Sequence, residues 1–277
     1  MEGCPRSLAQ HRHSSSNRYK NEEDGKEVTE DSNNQQSKYI QSLLNVDPSW
    51  KGVYKVGGFS LFASGAVVVV FLLSMVIMQV TLPDNPQVFF ENPVPPVTLV
   101  LLAAFGEFLL MPGVLGLYLA LKDVNKNYML IAAAFGFISI PMWLVSRAQI
   151  YSLFLISGRY MATTSEIMKA AYLASAERAI ELGNIYADMG LMFLGVASIL
   201  IGLVMLKGVF GKRVGYLVTV AGACVLIGAF GIFFQPIAML VPIGLILNGV
   251  WQTIVGIKLY KLGSSDSNQS QNRDNAS

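Results

Sequence analysis

The sequence predicts an all-α polytopic membrane bundle of six transmembrane helices plus one extracytoplasmic amphipathic helix. Three observations predict it. Hydrophobic residues make up 53% of the 277 and charged residues only 14%, and mean hydropathy is +0.48, too apolar for an ordinary soluble domain. Six apolar segments each approach or exceed the ~20 residues that cross ~30 Å of hydrocarbon. Basic residues gather at alternate segment ends, as cytoplasmic flanks of membrane spans do.

Residues 1–48 are rich in Ser, Asn, Gln, Glu and Lys. That composition cannot bury enough apolar surface to offset ordering entropy, so a disordered cytoplasmic tail is expected. Within it, Tyr39, Ile40, Leu43 and Leu44 share a helical face that could lie on the membrane surface. No apolar signal-peptide region occurs in the first fifty residues, so the first span is expected to direct insertion. Residues 49–261 form the predicted six-span domain. Trp50 and Tyr54, beside Lys51 and Lys55, read as interfacial anchors.

The first span is expected from Gly57 to Leu82, ending at Pro83-Asp84-Asn85-Pro86. A Pro-rich loop reaches Pro96, and the second span runs from Val97 to Leu121. The third is Tyr128 to Ile156, followed by a connecting segment from Ser157 to Gly183. Its later part reads as the amphipathic helix, with Ser165 as N-cap and Ile167, Ala170, Ala171 and Leu173 on its apolar side. Glu177, Glu181, Asn184 and Asp188 stack along one face of this helix. It leads into the fourth span, Ile185 to Leu206, with Gly183-Asn184 as a candidate bend. The fifth and sixth spans, Val214 to Phe234 and Ile237 to Tyr260, are joined at Gln235-Pro236. Residues 262–277 form a second polar tail.

Lys51, Lys55, Lys122, Lys126, Lys207, Lys212, Arg213, Lys258 and Lys261 flank spans on one side, against Arg159, Lys169 and Arg178 on the other. The asymmetry predicts a multi-pass cell-membrane protein with both termini cytoplasmic.

Absences weaken most enzymatic readings. Both histidines, His11 and His13, lie in the N-terminal tail, and no lysine lies deep in a span. No Ser-His pair, Ser-Lys dyad or His-based metal site is available to the spans. Cys4 and Cys224 cannot form a Cys-rich site. Gly208 to Arg213 lacks the spacing of a phosphate loop. No catalytic residue, metal or cofactor is therefore expected. A net charge of +2 without a basic patch argues against nucleic acid.

Three ionisable residues remain inside spans: Glu107, Arg147 and Asp188. At ~1.5 Å per residue they lie roughly 15, 14 and 5 Å below the outer span ends. One expectation is an interhelical Glu107–Arg147 clamp. The alternative is a polar cavity, open outward around all three, that binds a solute or relays protons. Gln149 and Tyr151 lie close to Arg147 in the chain, and Gln235 lies at the outer end of span five. Pro112 and Pro141 are expected to kink spans two and three near the charged pair. Ser198 with Gly202, and Gly116 with Ala120, have the spacing of close helix packing.

From Tyr54-Lys55-Val56-Gly57-Gly58 onward the layout resembles small prokaryotic multi-span proteins grouped as a domain of unknown function. The likeness rests on that basic-Gly start, the long polar connection between spans three and four, and the Gly-rich close at Lys258-Leu259-Tyr260-Lys261. It covers about Tyr54 to Lys261, with the polar N-terminus as an addition, and it implies no activity. The leading expectation is thus a non-enzymatic membrane protein of structural, sensory or accessory type. A small transporter or channel built around Glu107, Arg147 and Asp188 is second. Its partners would be the lipid bilayer and either a small solute or a membrane partner protein.

Overall fold

The computed structural model describes residues 48–78, 85–208 and 210–264. The two tails read from the sequence lie outside these residues, apart from Pro48 and 262–264, and so does the Tyr39–Leu44 face. A short 3-10 turn, Pro48–Trp50, leads into α1, Lys51–Met78. Then follow α2, Pro86–Glu91; α3, Val94–Leu121; α4, Lys126–Ala162; α5, Glu166–Met205; and α6, Lys212–Ala229. After the 3-10 turn Phe230–Ile232 come α7, Gln235–Ala238, and α8, Leu240–Ser264. Six of these helical stretches are long and apolar enough to cross a membrane.

Each long helix packs on its neighbour in sequence, and α8 closes the ring against α1. The bundle has a terminal end, where α1 begins and α8 stops, and a hairpin end, where α4 turns into α5. At the terminal end the α5–α6 turn closes through Gly211, whose φ of +88° suits glycine alone. Phe210 is buried in that turn, and its carbonyl accepts from Lys258 Nζ at 2.8 Å.

Several boundaries differ from those read in the sequence. The Pro-rich loop contains α2, capped by the Asn85 side chain, which accepts from Gln87 N at 2.8 Å. Its Phe89 and Phe90 are buried against Ile150, Leu153, Ala176 and Ala179, and that packing holds the short helix in place. The helix of the third span continues past Ile156. Nothing after it breaks the backbone hydrogen bonding, so α4 continues to Ala162 and Tyr160 packs its ring 5.0 Å from Phe90. The connecting segment shrinks to Thr163–Ser165. Ser165 holds the N-cap position, but its hydroxyl makes no cap bond.

α5 is continuous through Gly183-Asn184. Its packed face is Leu173, Ala176, Ala179 and Gly183, while Ile167, Ala170 and Ala171 are exposed. Of the apolar side expected from the sequence, Leu173 packs against this cluster. Tyr54 is buried between α1 and α3, donating its hydroxyl to the Leu119 carbonyl at 3.4 Å, so it does not serve as a surface anchor. Trp50 is half-exposed, with the Lys122 ammonium 5.8 Å from its ring.

Among the helix pairs that meet backbone to backbone are α1 with α8 and α5 with α6. Gly58 and Gly65 of α1 face Gly256 and Gly249 of α8, and Gly195 and Gly202 of α5 face Gly222 and Gly215 of α6. A methyl placed on Gly195 would sit 3.0 Å from the Gly222 carbonyl. Seven residues beyond that contact lie Asp188 on α5 and Ala229, the last residue of α6. The 22 residues of α5 before Asp188 thus run about 33 Å past the end of α6. They pair with the end of α4, and α2 packs on both.

Candidate functional site

Side chains on a helix lean toward its own N-terminus. α3 starts at the hairpin end and α4 at the terminal end, so Glu107 and Arg147 lean toward each other. Arg147 Nε donates to Glu107 Oε1 at 3.2 Å, and Nη2 lies 3.2 Å from the same oxygen. Both side chains are largely buried. The guanidinium also stacks on Trp143, 4.7 Å from the ring centroid, and lies 5.6 Å from that of Phe71. Such stacking shields a cation that hydrocarbon would otherwise penalise. Glu107 Oε2 is buried and has no hydrogen-bond partner.

The pair lines a cavity of about 80 Å³ on the bundle axis. α1 contributes Ser64, Val67 and Phe71; α3 contributes Gly106 and Glu107; α4 contributes Ser139, Trp143 and Arg147. Leu194 comes from α5, and Asn248 and Gln252 from α8. Gly106 keeps this wall thin, since a methyl there would meet Val67 Cγ1 at 2.7 Å.

Asn248 and Gln252 are one turn apart on α8 and nearly inaccessible, at 1% and 3% exposure. Both polar atoms of the Asn248 side chain are engaged. Its Oδ1 accepts from Trp251 Nε1 at 2.9 Å and Ser198 Oγ at 3.3 Å, and its Nδ2 donates to the Gly244 carbonyl at 2.9 Å. Gln252 Oε1 has no partner. Two buried acceptors without donors therefore belong to residues lining one cavity.

Of the three intramembrane ionisable residues singled out in the sequence, Glu107 and Arg147 come together and Asp188 does not join them. Asp188 is half-buried where α6 ends, does not line the cavity, and bonds to neither partner. Gln235 is exposed and Tyr151 lies tilted beside Phe154, neither of them lining the cavity. Pro112 and Pro141 sit inside unbroken α3 and α4. Asn248 and Gln252 escaped the sequence reading. Their i,i+4 spacing in an otherwise apolar span was the available signal. Among the described residues, no cluster of three His, Cys, Asp or Glu could hold a metal.

Comparison with curated proteins and with solved structures gave no match. Residues 60–260 match the family described as a domain of unknown function (DUF4386), which is most of the chain, with four spans whole and the first and last in part. The chain belongs to that family.

Proposed function

We propose that the bundle binds a small uncharged solute through its hydrogen-bond donors and passes it across the membrane. The role is binding and translocation, without catalysis. The observation that carries this reading is the pair of donor-less acceptors, Glu107 Oε2 and Gln252 Oε1, on the walls of the axial cavity. Leaving a buried acceptor unsatisfied costs about 1–3 kcal/mol, and native interiors rarely tolerate it. A ligand with N–H or O–H groups removes that cost at both places. Charge sets the rest of the specificity. Glu107 and Arg147 neutralise each other, so an added cation would leave net charge in a low-dielectric site, whereas a neutral donor would not. The other lining residues are mainly apolar, which suits an amphiphilic molecule of a few heavy atoms.

The same proposal puts the terminal end in the cytoplasm and the protein in the cell membrane. The nine basic residues at that end, against three at the hairpin end, support the orientation.

The test is thermal unfolding of the purified protein with small alcohols, glycerol and acetamide, compared with sodium, potassium and guanidinium. At least one neutral donor should raise Tm, reaching about 2.7 kcal/mol of stabilisation at a hundred times its Kd. Gln252→Leu should lose that shift. No shift with any neutral donor, or an equal shift in Gln252→Leu, would sink the reading.

A further inference from the structure

A second cavity, of about 210 Å³, lies beside the first. On every helix that lines both, its residues are displaced toward the hairpin end: Met75 on α1, Ile150 on α4, Asn184 on α5 and Val241 on α8. The cavities are therefore stacked along the bundle axis. Five residues line both: Phe71, Leu72, Trp143, Arg147 and Leu245. Three of them are the stacked cation and its two aromatic neighbours.

We infer that Arg147, with Trp143 and Phe71, is a gate between two compartments of one route, and that the Arg147 side chain is its moving part. The identity of what passes rests on the solute-binding reading above; the route itself rests on geometry. The outer compartment meets the surroundings at Asn184, which is exposed and stands about a turn beyond the end of α6. Toward the terminal end the bundle is filled by Leu61, Leu117, Leu121, Val255 and Leu259, each fully buried. Along the bundle axis, a solute moving between the inner and outer compartments therefore passes Arg147.

The gate is held loosely for an ion pair. Arg147 places two donors on one carboxylate oxygen instead of engaging both oxygens in a fork, and forked pairing is the stronger geometry. A solute that donates to the free Oε2 of Glu107 replaces part of what Arg147 supplies. The guanidinium can then slide across the Trp143 face toward Ser146 and Asn184, keeping its aromatic contact throughout. Glu107 stays behind to hold the solute.

Thiol access tests the gate. On a Cys4→Ser, Cys224→Ser background, Ser64→Cys reports the inner compartment and Ser146→Cys the outer one, each an almost isosteric change at a buried position. Reaction with a small methanethiosulfonate is followed by mass spectrometry in lipid nanodiscs. Position 146 should react at least ~10-fold faster than position 64, and Arg147→Ala should raise the rate at 64 by a similar factor while changing 146 little. Phe71→Ala, which leaves the ion pair intact, should also raise the rate at 64 and so covers a poorly folding Arg147 variant. A slow thiol at 146, or a rate at 64 indifferent to both wall substitutions, overturns the gate. These rates are read without solute, so failed solute binding and a failed gate give different results.

Discussion

Removing one half of the Glu107–Arg147 pair leaves the other charge in hydrocarbon without its counter-ion. That cost is roughly 10 kcal/mol or more by simulation and ~3 by insertion scales, and water reached through the cavities brings it toward the lower figure. Glu107→Gln and Arg147→Gln should each destabilise by about 3 kcal/mol, with the double substitution recovering part of the sum. Chemical unfolding of the four proteins in detergent checks this. Strict additivity would show that the 3.2 Å contacts carry no coupling. The two charges stood out in the sequence because ionisable groups are rare inside spans. Gln252 did not, because an uncharged amide in an apolar run looks like a tolerated polar residue. Only its position among the other helices reveals that its oxygen lacks a donor.

Helix contacts in this bundle divide into those with room for a side chain and those without. A methyl on Gly65 of α1 would stand 2.6 Å from the Gly249 carbonyl and 2.7 Å from Thr253 Oγ1 on α8, so the helices would have to separate. Gly65→Ala should therefore cost about 1–3 kcal/mol. On Gly183 of α5 the same methyl lies 3.4 Å from Gln149 Cβ, an ordinary contact in a continuous helix. Gly183→Ala should stabilise by up to about 1 kcal/mol through helix propensity. Thermal melts of the two variants should move in opposite directions, and a shared direction would refute the packing account. The spans were legible because twenty apolar residues announce themselves. The seven-residue glycine pairs were present in the sequence too, but which glycines face a backbone depends on the partner helix. α4 outruns its apolar run because hydropathy falls at Gly158-Arg159, whereas helix continuity is decided by backbone bonding and by the seat that Phe90 gives Tyr160.

At the scale of the whole molecule, the proposed orientation rests on charge. Single cysteines at Ser165 and Ser267 on the Cys-free background, probed with an impermeant thiol reagent on intact cells, should label only at 165. Labelling at 267 alone would invert the topology. Six spans could be counted in the sequence, but their closed ring could not, because the contact between α1 and α8 joins the two ends of the domain. The projecting pair formed by α4 and α5 has a mechanical consequence. α4 is one unbroken rod that carries Arg147 in the wall between the cavities and, fifteen residues or about 22 Å further on, reaches Ala162 at the hairpin tip. Phe89 and Phe90 brace it partway along. A rod braced there is a lever: a sideways force on the tip becomes torque at Arg147, so an antibody fragment that clamps the hairpin acts on the gate without entering it.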